Sequence, residues 1–529
     1  MNDASKKTSL LAPLGIPAFR AIWSANLVSN LGTLVQSVAA AWLMTTLTTS
    51  TTLVGLVQTA ATLPVFLVGL PAGALADIVD RKHLLFWSQA WMLVMAAALG
   101  ALALFGRVTP ALLLSLTFAI GLGSAISLPA WQATVQDLVP KPWVPSAVSL
   151  NAISFNVARA FGPALGGFLV ATAGAAFAFL ANAASYIAVL LAVAFWKPAP
   201  APPRKLTEDI VGAMRAGLRY LLHAPRLQAP IARAAIYNLC AGAVWPLLPL
   251  LARDVFKTTA TGYGLLLGAF GLGSIVSALT VPRLRARFQL DRILLAGGLL
   301  CAAAYTGLAL TKSLAVAAPL LFLAGAAWVG VFINFNVAVQ TSVPAWVRGR
   351  ALAFYLLTFQ GILALDGALW GWLAGVVGTA ESFAFAAGGL VLGLAGIRFF
   401  PLAIDDRIDL NHPADWPYGH DHAVNDPDDG PVLVVIEFFI PPQKARTFRA
   451  LMRHLREQRL RDGARRWRLY HDMENPERFV ELFRLDSWND HLLQTERLTV
   501  DDLRVRAAVF ALHKGPEKPK ARHYLGIEE

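Results

Sequence analysis

The stretch Gly73-Ala-Leu-Ala-Asp77-Ile-Val-Asp80-Arg81-Lys82 is a charged turn wedged between two long apolar runs. Residues 53–76 and 84–106 carry no ionisable side chain. As helices, each is long enough to cross about 30 Å of hydrocarbon. The turn between them therefore belongs at a membrane face. There Gly73 removes a side chain and lets a neighbouring helix approach. Asp77 is placed to accept from the amides at a neighbour's N-terminus, and Arg81 and Lys82 stay in water. An ordinary basic turn accounts for the two cations but not for glycine and aspartate at fixed offsets from them.

Outward from this turn, apolar runs of about 18 residues or more predict spans near 18–46, 52–76, 84–106, 110–138, 146–171 and 174–196. A second set follows near 230–252, 261–281, 290–311, 314–342, 349–375 and 379–400. The expectation is an all-α membrane protein of twelve transmembrane helices in two six-helix halves, 1–196 and 230–400. Between them, 197–229 holds a proline-rich linker from Lys197 to Arg204 and an amphipathic helix over 206–222, read as lying in the membrane interface. An internal repeat supports the division. Gln136, Val139, Pro140 and Ala147 recur at a constant offset as Gln340, Val343, Pro344 and Ala351, each time between one span and the next.

Composition excludes a soluble protein: of 529 residues, 56% are hydrophobic and 15% charged. The net charge of +12 does not point to nucleic acid, because the excess of Lys and Arg lies in loops flanking the spans. Arg81, Lys82, Lys141, Arg204, Lys205, Arg283, Arg285, Arg287, Arg348 and Arg350 fall on one side. Arg107, Arg253, Lys257 and Lys312 fall on the other. The positive-inside rule then places both termini and the central linker in the cytoplasm, with the chain in the inner (plasma) membrane. Cys240 and Cys301 sit singly in apolar runs, so neither a disulfide framework nor a metal site is expected, and no cofactor motif is present.

The pattern G-x-L-A-D-x-x-x-R-K, matched at Gly73, Leu75, Ala76, Asp77, Arg81 and Lys82, resembles the loop signature between the second and third helices of the major facilitator superfamily. Arg159-Ala-Phe-Gly162-Pro163-Ala-Leu-Gly166-Gly167 resembles the fifth-helix signature of its proton-coupled drug exporters, with Ala158 in place of the first glycine. With Val139-Pro140, Tyr263-Gly-Leu-Leu and Arg348-Gly-Arg350, residues 18–400 look like the enterobactin-exporter and macrolide-efflux branch. The resemblance implies an alternating-access exporter of a small amphipathic, siderophore- or drug-like molecule, driven by proton antiport, and not an enzyme. It also implies a conformational latch of Gly73, Asp77, Arg81 and Asp137, in which two carboxylates flank one guanidinium.

Amides pair at helical spacing at Asn26 and Asn30, Gln132 and Gln136, and Asn336 and Gln340; Asn238 stands in the seventh span. Two readings stay open: these residues line a central cavity, or they are hydrogen-bond glue between helices. Only Arg159 and Asp366 are charges deep within spans. The repeat offset sets Asp366 opposite Gly162, three residues from Arg159. Asp366 as a proton carrier tuned by Arg159, or the two as a structural pair, are the alternatives.

After residue 400 the composition changes. Residues 401–430 read as a flexible linker rich in Asp, His, Pro and Asn. Residues 431–529 show the order βαββαβ, with a helix over 488–512, and are expected to form an α+β ferredoxin-like domain. This domain resembles the small antibiotic-biosynthesis-monooxygenase type, which implies a homodimer through its sheet. The alternative function is a membrane-anchored sensor or enzyme whose activity resides in this tail, with Trp488, His471 and His491 as the residues to watch. A duplicated core argues against it, since an anchor needs one helix and no cavity.

Overall fold

The computed structural model describes residues 9–197, 210–396, 402, 409–411 and 429–527. They fall into two compact units. One lies within Met1–Arg204, Ala232–Phe335 and Leu356–Phe400, the other within Lys205–Ile231, Asn336–Tyr355 and Pro401–Glu529.

Helix ends follow capping chemistry in the first unit. After α1 (Pro17–Leu47), α2 (Thr51–Ile78) starts behind Ser50, whose hydroxyl accepts from the Leu53 N–H. Next, α3 (Arg81–Leu104) starts behind Asp80, whose carboxylate accepts from the N–H groups of Lys82 and His83; α4 (Pro110–Asp137) starts behind Thr109, with proline at its first position. The first half is completed by α5 (Val144–Ala173) and α6 (Ala175–Phe195), with α1 packed on both and α3 on α6.

The second half differs from expectation at its two ends. The continuous span expected over 230–252 is broken into α8 (Pro225–Ala241), α9 (Val244–Leu250) and a π-helical turn over Leu251–Val255. The break falls at Gly242, ahead of Pro246 and Pro249, which lack the N–H a continuous helix needs. There follow α10 (Ala260–Arg285), α11 (Leu290–Leu310), α12 (Leu314–Thr341), α13 (Arg348–Val377) and α14 (Thr379–Ala395). Among the described residues, eleven helical stretches are long and apolar enough to cross a membrane, and α14 is a shorter apolar helix; positions 397–400 of the expected twelfth span lie outside them.

In the second unit, β1 (Val432–Phe439), β2 (Arg466–His471), β3 (Arg478–Leu485) and β4 (Ala521–Leu525) form one antiparallel sheet in the order β2-β3-β1-β4. Side chains alternate across it. Val434, Ile436 and Phe438 of β1, with Phe479 and Phe483 of β3, pack on Phe448, Met452 and Leu455 of α15 (Ala445–Asp462). The single helix expected over 488–512 is two, α16 (Trp488–Glu496) and α17 (Val500–Phe510), because Thr499 and Asp502 form a capping box that starts the second.

The helix read as interfacial is α7 (Ile210–His223). It packs on α15, with Ala216 and Tyr220 buried and Leu218 and Leu222 exposed. Arg219 donates to the carbonyl of Gly463 at 3.2 Å. The Arg461 guanidinium lies 5.5 Å from the Tyr220 ring centroid and pairs with both Asp462 and Asp502. Trp346 stands edge-on to Tyr220 and under the Arg497 guanidinium.

Candidate functional site

A cavity of about 730 Å³ lies in the helical unit. Its amides are Asn26, Asn30, Gln36, Gln58, Gln89, Gln132 and Asn151, and its aromatic wall includes Trp131, Phe155, Trp245 and Tyr263. No Asp, Glu, Lys, Arg or His is among its described lining residues. Most of the wall comes from the first half; Trp245, Tyr263 and Leu267 come from the second.

The predicted residues distribute as follows. Asn26, Asn30 and Gln132 line the cavity, and Asn30 donates to Ser154 at 3.4 Å. Asn238 is buried outside the lining, and Gln340 donates to Asn336 at 2.6 Å within the second unit. The side chains of Gln136 and Asp77 lie outside the described residues.

Around the turn, Arg81 donates to Asp137, and Lys82 donates to the carbonyls of Ala194 and Trp196 at 3.0 and 2.6 Å, tying α3 to the end of α6. Gly73 has nothing within 4 Å of where a Cβ would stand, so the close helix approach expected there is absent from this conformation.

On α5, Pro163 lines the cavity, Gly162 and Gly166 press against Leu34 and Val35 of α1, and Gly167 meets Ala260 and Gly264 of α10. Arg159 is half-buried, its guanidinium 4.8 Å from the Phe155 ring centroid and 5.8 Å from that of Trp328. No described carboxylate pairs with it. Asp366 is fully buried, and neither of its oxygens accepts a hydrogen bond of ordinary geometry from a described residue. It abuts the break between α8 and α9: a Cβ at Gly242 would stand 1.8 Å from Oδ2. Glycine is required there to admit the carboxylate.

The two halves meet tightly at the face opposite the Val79–Asp80 turn. Gly55 of α2 lies against Gly367 and Gly371 of α13. Thr51 donates to Gly371 O at 2.8 Å, and Thr59 to Ala364 O at 2.6 Å. Arg253, after α9, donates to the carbonyls of Thr45 and Thr48 at the end of α1, at 2.7 and 3.1 Å. Trp42 stacks on Tyr263. At the turn face the ion pairs run within a half: Arg81 with Asp137 in the first, and Arg233 with Asp291 at 2.6 Å in the second.

Gln36, Gln58, Gln89 and Asn151 lack an amide partner three or four residues away on their own helices, so the pairing signal that marks the other amides in the sequence does not mark them. In the tail, His471 Nε2 donates to Pro476 O and the ring stacks on Phe479, while Trp488, His491 and His523 form a separate aromatic cluster.

A family model described as transmembrane secretion effector matches residues 8–529. The chain is 27% identical to the multidrug efflux pump Tap of Mycolicibacterium fortuitum over 70% of this chain and 87% of that one. It is 29% identical to the enterobactin exporter EntS of Shigella boydii over 51% of this chain and 64% of that one. In fold it is similar to a bacterial homolog of the human lysosomal transporter Spinster, with a TM-score of 0.59 at 16% identity, covering 73% of this chain and 97% of that one. The long apolar helices, the cavity they enclose and this family match lead to one conclusion: the chain belongs to the transmembrane secretion effector family of the major facilitator superfamily and is a multi-pass efflux transporter related to drug and siderophore exporters, not an enzyme.

Proposed function

We propose that the chain exports a small amphipathic molecule by alternating access, in exchange for protons. The observation that carries this reading is the cavity: uncharged, mixed amide and aromatic walls, enclosed where the two halves meet at one face only. Amides satisfy polar substituents while Trp131, Phe155 and Trp245 take up an apolar body. Drugs and siderophores, the cargo of the relatives, are molecules of this type. On the positive-inside argument the basic turn face is cytoplasmic, as are both termini, so the conformation is the one that loads from inside.

Asp366 is the proton carrier in this reading, a lone carboxylate at the α8–α9 break, and Arg159 beside the cavity tunes it or holds an anionic substituent. Asn238 and Gln136 join Asn26, Asn30 and Gln132 around the substrate as the cycle proceeds. Gly73, Asp77, Arg81 and Asp137 form the latch that closes the turn face in the opposite state. The tail is a ferredoxin-like module that regulates or dimerises the transporter.

The test is uptake by inside-out vesicles holding the full chain, using a panel of lipophilic dyes, drugs and siderophores under an imposed pH gradient. Uptake that collapses with the gradient supports the reading. With Asp366→Asn, uptake should lose its response to the gradient while binding stays within a few-fold. Gradient-driven uptake unchanged by Asp366→Asn would exclude Asp366 as the carrier.

A further inference from the structure

We infer that the seam between α3 and α4 is a subsite for an uncharged hydroxyl or carboxamide group of the transported molecule, with Gln89 as its recognising side chain. This deepens the export reading and rests on it.

Gln89 projects from α3 into the cavity wall, 6% exposed, in a helix whose one other hydroxyl or amide side chain between Leu84 and Leu104 is Ser88. Its Nε2 donates to Ser127 Oγ of α4 at 3.3 Å, and Ser127 is equally buried. Its Oε1 has no hydrogen-bond partner among the described residues. Turning the amide end for end exchanges an orphan acceptor for an orphan donor, because Ser127 offers one hydroxyl either way. One end of the amide is therefore unsatisfied whichever way it points. A buried polar atom without a partner is costly, and a substrate group that supplies one gains that cost back.

The surroundings define what fits. Met92 and Tyr186 flank the site, and Gly123 lets α4 press onto Met92 and the carbonyl of Ser88, fixing the seam. No charged side chain is among the described lining residues to neutralise a carboxylate or an ammonium at this seam, so an ionised substituent would enter it uncompensated. A hydroxyl or a carboxamide, each both donor and acceptor, satisfies the free end of Gln89 in either orientation.

A second orphan lies further along the same wall. The hydroxyl of Thr117, a residue 7% exposed, has no hydrogen-bond partner among the described residues. It precedes Ser127 by ten residues on α4, about 15 Å along the axis. A long substrate with two neutral polar groups engages both.

The test uses the purified full chain and a matched probe pair, 2-naphthol and 2-methoxynaphthalene, at neutral pH where the naphthol keeps its proton. Binding is read by quenching of tryptophan emission, Trp131 and Trp245 being in the wall. The wild type is expected to bind the naphthol about tenfold or more tightly than the ether. Gln89→Leu should remove the preference by weakening naphthol binding and leaving that of the ether alone. Ser127→Ala should keep it, since both ends of the amide then serve the probe. Equal or absent binding of the two probes by the wild type, or an undiminished preference in Gln89→Leu, overturns the subsite. Loss of gradient-driven uptake across the whole vesicle panel would instead overturn the export reading, a separate result from a separate measurement.

Discussion

At the face opposite the Val79–Asp80 turn, the halves of the helical unit meet through glycine backbones, threonine hydroxyls and one arginine on two carbonyls. At the turn face, the ion pairs Arg81–Asp137 and Arg233–Asp291 each stay inside one half. The difference is in what must break when the halves move as bodies. Ion pairs within a half survive that motion. Contacts between halves are all lost together, so the closed face must be built from many weak, short-range interactions rather than a few strong ones. On the proposed reading, this is how one face opens without dismantling either half.

The contrast is broken most severely by adding bulk where the backbones touch. A Cβ at Gly367 would stand 2.4 Å from Thr59 Oγ1 and 2.5 Å from Gly55 O. Overpacking of this sort costs about 1–3 kcal/mol, and here all of it falls on the closed-face state. Gly367→Val should lower the rate of export by about tenfold or more and widen the spacing across that face. Paired spin labels there report the spacing, and selective labelling is helped because Cys240 and Cys301 are both buried. A variant with unchanged spacing would show that the glycine contact does not set closure.

Arg253→Gln comes next. Its guanidinium holds the carbonyls of Thr45 and Thr48 while paired with Asp254 at 2.6 Å. Hydrogen bonds from a charged donor contribute about 1.5–3 kcal/mol, so the closed-face population should fall by at least about tenfold. The same label pair measures it. An unaltered distance distribution would assign closure to the helix backbones alone.

How much of this was legible beforehand depended on whether the signal was local. The Gly73–Lys82 turn, the spans beside it and the caps at Ser50, Asp80 and Thr109 are each encoded by neighbouring residues. So is the Thr499–Asp502 box that divides the last helical segment, which was present in the sequence but passed over under a continuous apolar pattern. The closed face is another matter. Gly55, Thr59 and Gly367 are ordinary residues of apolar helices, and nothing near them names partners some 300 residues away. Arg253 read as a stray base on the opposite loops. Gln89 has no amide partner at helical spacing, and the residue it bonds, Ser127, stands on another helix. Asp366 was visible as a charge in an apolar span; its place at the α8–α9 break was not, although Gly242, Pro246 and Pro249 mark it.

A smaller effect should follow from Thr59→Val. The hydroxyl donates to Ala364 O at 2.6 Å across the halves. Valine keeps the shape but not the bond, and side-chain hydrogen bonds between membrane helices average about 0.6 kcal/mol. The closed-face population should drop by about threefold, additive with Arg253→Gln because the two share no partner. A shift as large as that of the arginine would mean that the threonine holds more than one contact.

The smallest expected change concerns the turn face, and it sharpens the comparison by being nearly silent. Arg81 and Asp137 form an ion pair inside the first half, with the carboxylate half-exposed. Solvent screens such a pair, and exposed pairs contribute about 0.2–1 kcal/mol. Because α3 and α4 both lie in that half, the pair is present whether the opposite face is open or closed by rigid-body motion. Asp137→Asn should therefore lower thermal stability slightly, by an amount that shrinks as salt is raised toward 1 M. It should not widen the spacing across the opposite face, since weakening a latch that acts only in the opposite state does not disfavour the closed face. If Asp137→Asn instead moved that spacing as far as Arg253→Gln does, the pair would be coupled to the contact between the halves, and the division of labour between the two faces would not hold.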